Sequence, residues 1–187
     1  VARLAVDHPV SVWTMTSQGL VHACNGTCGS APTVVATGEQ EPYGVTLDAT
    51  RYYWTARLGG AIRFAPRAGG TPSSLVEGEA QPSDVAVSGE DVFWTNASGE
   101  IRTARTAGGE AKTLFTDQAG PERLVVDEGS VYWTNPSTGT LMKVSRSGGE
   151  AIVLAAGQPE AWDLAIDETH VYWVNRVSTG SVSRVPK

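Results

Sequence analysis

The chain has 187 residues, 14 basic against 20 acidic side chains, and two cysteines. That length suits one domain with a real core, and a formal charge of −6 argues against a nucleic-acid footprint, which needs a basic face. No run of about eighteen apolar residues is present, so the sequence offers no membrane-spanning helix.

The predicted elements recur in chain order. Leu4-Ala5-Val6-Asp7 is a short apolar run, and Val12-Trp13-Thr14-Met15 follows it as an aromatic β-type segment. Val21 opens a third segment and Thr33-Val34-Val35-Ala36 a fourth. The order then restarts. Val45-Thr46-Leu47-Asp48 leads to Tyr53-Trp54-Thr55-Ala56, Ile62 and Ser73-Ser74-Leu75-Val76; Val85-Ala86-Val87-Ser88 leads to Phe93-Trp94-Thr95-Asn96, Ile101 and Lys112-Thr113-Leu114-Phe115. The fourth round is Leu124-Val125-Val126-Asp127, Val131-Tyr132-Trp133-Thr134-Asn135, Leu141 and Ile152-Val153-Leu154-Ala155; the fifth is Leu164-Ala165-Ile166-Asp167, Tyr172-Trp173-Val174-Asn175 and Val182 to Val185. Such β-branched and aromatic runs read as strands, here labelled a to d within each repeat. Gly19, Gly60, Gly99, Gly139 and Gly180 mark the b–c turn, and Gly69-Gly70, Gly108-Gly109 and Gly148-Gly149 a tight c–d hairpin. No segment of ten residues has helical periodicity.

Trp13, Trp54, Trp94, Trp133 and Trp173 stand 41, 40, 39 and 40 residues apart. A period near forty with one aromatic strand per period marks a radial β repeat. The segments around Trp54, Trp94, Trp133 and Trp173, with a degraded copy at Trp13, resemble the YWTD repeat of the LDL-receptor class. That resemblance implies a β-propeller and covers nearly the whole chain. The expected fold is all-β, one domain of five blades (about 1–38, 39–79, 80–118, 119–158 and 159–187), with the last blade lacking its outer strand. One meander alone buries too little to be stable, whereas stacked blades bury both faces. A closed five-membered ring is expected; an open stack, or part of a larger ring, is the alternative, because familiar YWTD propellers have six blades. Pro186, Arg184 and Lys187 would blunt the last strand's edge, which favours a monomer or weak associate. The chain opens on Val1 without a secretory leader, read as a start after processing.

The repeated tryptophans are expected in the core. Trp162 falls out of phase, at the d–a entry where other repeats carry Ala2, Tyr43, Ser83 and Glu122. A position that changes chemistry while its neighbours repeat does not serve the common core. In a propeller these loops ring one mouth of the channel. The predicted ligand-binding set is therefore Arg3, Tyr43, Ser83, Asp84, Glu122, Arg123, Trp162 and Asp163, with a solvated loop ring as the plain alternative. Asn96, Asn135 and Asn175 stand where YWTD proteins have Asp; they keep hydrogen-bonding capacity without charge and read as structural.

No catalytic residue, cofactor or metal site is predicted. His8, His22 and His170 occupy different places in the repeat, and no phosphate loop or nucleophile motif is present. Cys24 and Cys28 read as a disulfide across the first c–d turn, stabilising by roughly 2 kcal/mol and implying an oxidising compartment; free thiols, or a poor metal site with His22, are the alternatives. The function read from these residues is a non-catalytic binding platform outside the cytoplasm, for a protein or small ligand. A carbohydrate-binding propeller is the first alternative and a metal-dependent lactonase-like hydrolase the second; Arg3 and Arg123 oppose a bound cation.

Overall fold

The computed structural model describes residues 3–26 and 31–187. Among the described residues 19 strands form four four-stranded sheets and one of three. The first sheet is β1 (Leu4–Asp7), β2 (Val10–Met15), β3 (Leu20–Asn25) and β4 (Thr33–Ala36). The second is β5 (Pro42–Leu47), β6 (Arg51–Ala56), β7 (Ala61–Pro66) and β8 (Ser73–Glu77); the third is β9 (Val85–Ser88), β10 (Asp91–Thr95), β11 (Ile101–Arg105) and β12 (Lys112–Phe115). The fourth is β13 (Leu124–Val126), β14 (Ser130–Asn135), β15 (Thr140–Ser145) and β16 (Ile152–Ala155); the last is β17 (Ala161–Ile166), β18 (His170–Asn175) and β19 (Ser181–Pro186). Each sheet is a meander in which every strand pairs antiparallel with the next. The protein is thus an all-β propeller of YWTD-like blades whose last blade has three strands.

The alternation of strand b explains why the blades stack. Successive side chains point to opposite faces, so Trp54 faces the first blade and Tyr53 the third. The buried residues accordingly fall into four clusters, one per blade interface. Val12 and Val21 meet Val45 and Trp54; Tyr53 and Ile62 meet Val85 and Trp94; Phe93 and Ile101 meet Leu124 and Trp133; Tyr132 and Leu141 meet Leu164 and Trp173. A bulge recurs at one place in strand c, at Val21/His22, Ile62/Arg63, Ile101/Arg102 and Leu141/Met142, where it adds local twist.

Two polar devices repeat with the blades. The indole N–H of Trp54, Trp94, Trp133 and Trp173 donates to the side chain fifteen residues upstream: Glu39 at 3.0 Å, Glu79 at 2.8 Å, Gln118 at 3.0 Å and Gln158 at 3.1 Å. The backbone N–H of each of those residues donates to the carbonyl of Gly19, Gly60, Gly99 or Gly139 in the preceding blade. One Glu or Gln therefore ties each blade to the next. The glycine is required: at Gly99, φ is 79° and an added Cβ would lie 2.3 Å from the Gln118 carbonyl. Asn96, Asn135 and Asn175 donate to Glu79, Gln118 and Gln158 respectively, so their structural role is met. The second device clips the a–b hairpin. Asp48, Asp127 and Asp167 each accept backbone N–H groups of the turn and the hydroxyl of the tyrosine five residues on, Tyr53, Tyr132 and Tyr172.

The expectation of a closed five-bladed ring needs correction. Leu4 is 59 % exposed, although its counterparts Val45, Val85, Leu124 and Leu164 are 3–8 % exposed. Val182 is 75 % exposed, whereas Val21, Ile62, Ile101 and Leu141 are fully buried. The outward faces of the first and last blades do not pack on each other. Their link is polar and lies at the inner rim, where Arg3 meets Asp163 at 2.7 Å. Cys28 lies outside the described residues, and the expected Cys24–Cys28 staple with it.

Candidate functional site at the channel mouth

The recurring threonine of strand b builds the mouth. Thr14, Thr55, Thr95 and Thr134 are fully buried. Their hydroxyls donate to the d–a loop of the next blade, to the carbonyls of Tyr43 at 2.7 Å, Ser83 at 3.1 Å, Glu122 at 3.4 Å and Trp162 at 2.8 Å. Three of them also accept an N–H from their own blade, from Arg3, Gly44 and Asp84. A hydroxyl is donor and acceptor at once, so one side chain fixes two loop backbones. Of the residues expected at the mouth, this staple holds Tyr43, Ser83, Glu122 and Trp162 by their carbonyls and Arg3 and Asp84 by their N–H groups.

Seven of the eight expected residues come together as side chains. Arg3 reaches across the axis to Asp163 at 2.7 Å and Asp84 at 3.3 Å. Asp84 is buried and also accepts the Leu124 N–H. Burial pushes its carboxyl above the ordinary range, against the pull of Arg3 and Arg123. Burial likewise opposes the charge of Arg3, but Asp84 and Asp163 outweigh it and raise its pKa. Arg123 donates to the Tyr43 hydroxyl at 3.0 Å, and that hydroxyl donates to Glu122 at 3.3 Å. Ser83 is the exception. It is buried, and the contribution described is its carbonyl, which accepts from Thr55 and Gly44; its place in the ring is occupied by backbone.

Two further residues belong to the site. Arg57 and Arg176 directly follow strand b, and the backbone N–H of each bonds to the d–a loop. Their guanidinium groups extend a stack across the mouth. Arg57 lies 5.1 Å from the Tyr43 ring centre, Arg123 lies 4.8 Å from Tyr43 and 5.3 Å from Trp162, and Arg176 lies 3.7 Å from Trp162. The result is a ladder of Arg57, Tyr43, Arg123, Trp162 and Arg176, alternating cation and ring, each contact an attraction of roughly 0.5–2 kcal/mol. The signal was present in the sequence: the residue after strand b reads Thr16, Arg57, Ala97, Pro136 and Arg176, another position that varies within the repeat.

Arg123, at the centre of the ladder, is 3 % exposed, and its Nε and Nη1 atoms have no acceptor among the described residues. Buried donors without partners cost about 1–3 kcal/mol each. No cluster of three or more His, Cys, Asp or Glu side chains able to hold a metal ion occurs among the described residues. Asp84 and Asp163 are instead engaged by Arg3.

Comparison with known proteins bears on the fold. No family model matches the chain, and no curated protein matches it. Among solved structures it is similar to a nidogen/laminin complex chain, with 21 % identity, TM-score 0.85, and coverage of 98 % of this chain and 74 % of that one. It is also similar to a streptogramin B lyase (10 %, 0.77, 98 % and 67 %) and to virginiamycin B lyase from Staphylococcus aureus (12 %, 0.76, 98 % and 69 %). At these identities the likeness establishes the architecture: a β-propeller of YWTD-like repeats. No helix among the described residues is long and apolar enough to cross a membrane.

Proposed function

We propose that the protein is a non-catalytic recognition platform, acting outside the cytoplasm, whose channel mouth binds a protein partner. The observation that carries this reading is the Arg–aromatic ladder across the mouth. Arg, Tyr and Trp are the residue types that dominate binding energy at protein interfaces, and here blade-to-blade threonine staples hold their loops rigidly. A carboxylate of the partner is received by the guanidinium groups at the two ends of the ladder, Arg57 and the exposed Arg176. The complex named for the nidogen/laminin neighbour is consistent with a propeller used in this way.

The alternatives have weaker support. Sugar stacking requires a free aromatic face, yet Tyr43 and Trp162 each already carry two guanidinium groups, which a sugar would have to displace. A metal-dependent hydrolase requires carboxylates free to bind the metal, whereas Asp84 and Asp163 are engaged by Arg3, and the likeness to the lyases is one of architecture, which does not by itself carry an activity. A displayed-peptide library selected on the immobilised protein tests the proposal. Recovered peptides should carry acidic residues and lose at least tenfold in affinity against Trp162→Ala. Equal binding to both forms, or a glycan array that returns a sugar ligand lost in the same variant, would overturn it.

A further inference from the structure

At four positions around the mouth the second and last blades carry the same chemistry, and the other blades do not. In the d–a loop, Glu41 and Tyr43 match Glu160 and Trp162; after strand b, Arg57 and Leu58 match Arg176 and Val177. The third blade has Gln81, Ser83, Ala97 and Ser98 at these places, and the fourth has Gly120, Glu122, Pro136 and Ser137. Elsewhere the residues after strand b serve the fold: the Thr16 hydroxyl donates to the Pro42 carbonyl, and that of Ser137 to the Ala119 carbonyl. The matched set is not consumed in this way. Leu58 is 67 % exposed and Arg176 is exposed, and the Arg57 guanidinium has no hydrogen-bond acceptor among the described residues. The backbone gives an independent sign. Glu41, Gln81, Gly120 and Glu160 occupy one position of the repeat, and all have positive φ: 58°, 47°, 70° and 49°. Glycine adopts that region freely, whereas a residue with a side chain there costs roughly 1–3 kcal/mol. The fourth blade shows that glycine suffices for the loop. Glu41 and Glu160 are therefore kept for what their side chains do, and strain of this kind collects at binding sites.

Rotation about the channel carries one set onto the other, and the two meet through Arg123, whose guanidinium lies 4.8 Å from the Tyr43 ring and 5.3 Å from the Trp162 ring. The mouth is thus two copies of one half-site. We propose, resting on the reading of the mouth as a binding surface, that its ligand is an extended segment carrying one unit twice: an acidic residue with an apolar neighbour, the two units facing outwards from the segment's centre. Arg57 and Arg176 each receive one carboxylate, and Leu58 and Val177 each receive one apolar side chain. The ladder sets the spacing. Its four contacts in series, 5.1, 4.8, 5.3 and 3.7 Å, cap the distance between the end guanidinium groups at what about six extended residues span, at ~3.3 Å each. The two glutamates set the selectivity. The Glu41 carbonyl accepts the Arg57 N–H, and the Glu160 carboxylate lies 3.5 Å from Arg176. Densely charged anions, such as a nucleic acid or a sulfated sugar chain, meet these carboxylates as a repulsive element, whereas two isolated acidic residues reach the arginines between them.

Two synthetic peptides with blocked ends test this. One reads aspartate, leucine, two glycines, leucine, aspartate; the other keeps only the first aspartate–leucine unit and has glycines elsewhere. Binding is followed by NMR at the side-chain Nε–H signals of Arg57 and Arg176. The two-unit peptide should bind once per chain and roughly tenfold or more tightly than the one-unit peptide, because its second contact is made within the complex. The one-unit peptide should move both arginine signals. In Arg176→Ala the two-unit peptide should fall to the affinity of the one-unit peptide while Arg57 still responds, and Arg57→Ala should give the mirror result. Equal affinity of the two peptides, or a one-unit peptide that moves a single arginine, overturns the paired half-sites and leaves the mouth as a binding surface. Binding of neither peptide at millimolar concentration overturns them as well. The mouth itself then stands or falls by the displayed-peptide selection, in which ligands insensitive to Trp162→Ala would remove both readings.

Discussion

Trp94→Ala and Trp13→Ala remove the same side chain from the same position of the repeat, and the structure assigns them different costs. Trp94 is fully buried between the second and third blades, and its indole N–H donates to the buried Glu79 carboxylate at 2.8 Å. Truncation should cost about 3–5 kcal/mol for the lost transfer and cavity. A further 1–3 kcal/mol, roughly, follows from depriving a buried acceptor of its donor. The sum approaches the whole stability of a typical domain, about 5–15 kcal/mol. Trp13 is half-buried at the open face and makes no hydrogen bond to a described residue, so its removal should cost about 1–2 kcal/mol. Thermal unfolding followed by circular dichroism reads the contrast. At about 2–4 °C per kcal/mol, Trp94→Ala should fall by more than about 10 °C and Trp13→Ala by only a few. Equal losses would mean that the first blade is covered in solution and would refute the assignment of its face as open.

Thr55→Val is nearly isosteric but removes the hydroxyl shared by the Gly44 N–H and the Ser83 carbonyl, which keep only their own 3.2 Å bond, and should cost about 1 kcal/mol; Val174→Thr, half-exposed, should change little in the same denaturant titration. Gly99→Ala should destabilise strongly because its Cβ would collide with the Gln118 carbonyl, while Gly180→Ala, with its nearest atom at 3.9 Å, bears only the strain of its backbone angle; melting points rank the two. The hairpin clips make the fold acid-labile. Burial opposes the charge of Asp127, but Lys187, the turn N–H groups and the Tyr132 hydroxyl outweigh it and hold its pKa at about 2. Its contribution is present above the unfolded value near 3.9 and is lost as pH falls towards about 2; Asp127→Asn should flatten that limb of the stability profile. Burial and Asp127 push the Tyr132 phenol up to about 12, so its share persists below about 10 and is lost as pH rises through about 12, a limb that Tyr132→Phe should remove.

The blade was legible because each of its parts answers to a local rule. The tryptophan period, the Gly-Gly hairpins and the four-residue apolar runs located the strands to within a few residues, since strand pairing in a meander is a matter between neighbours. The mouth was legible for a different reason: a position that varies inside a strict repeat is free of the core, and that singled out Tyr43, Glu122 and Trp162. Ser83 enters the ring through its backbone carbonyl, because variation locates a backbone position and says nothing about what a small side chain contributes there. Arg57 and Arg176 were missed because exposed arginines look alike until an aromatic ring is seen beneath them. The open ring was hidden because closure depends on the angle between blades, a sum over packed interfaces that no single segment encodes. Asp48–Tyr53, Asp127–Tyr132 and Asp167–Tyr172 show a pairing that the sequence carries in part: Ser88 and Phe93 replace both partners together in the third repeat, whereas the first keeps Asp7 with Val12 in the place of the tyrosine.

Recognition through the arginine–aromatic ladder is tested most directly by calorimetric titration of a selected peptide against alanine variants at Tyr43, Arg57, Trp162 and Arg176, with exposed Glu168, on the a–b turn of the last blade, as the control. The predicted result is a loss of tenfold or more in affinity at Tyr43 and Trp162, smaller losses at the two arginines, and none at Glu168, with melting points close to the parent. Unchanged affinity across the four ladder positions would contradict the assignment of the mouth as the binding surface.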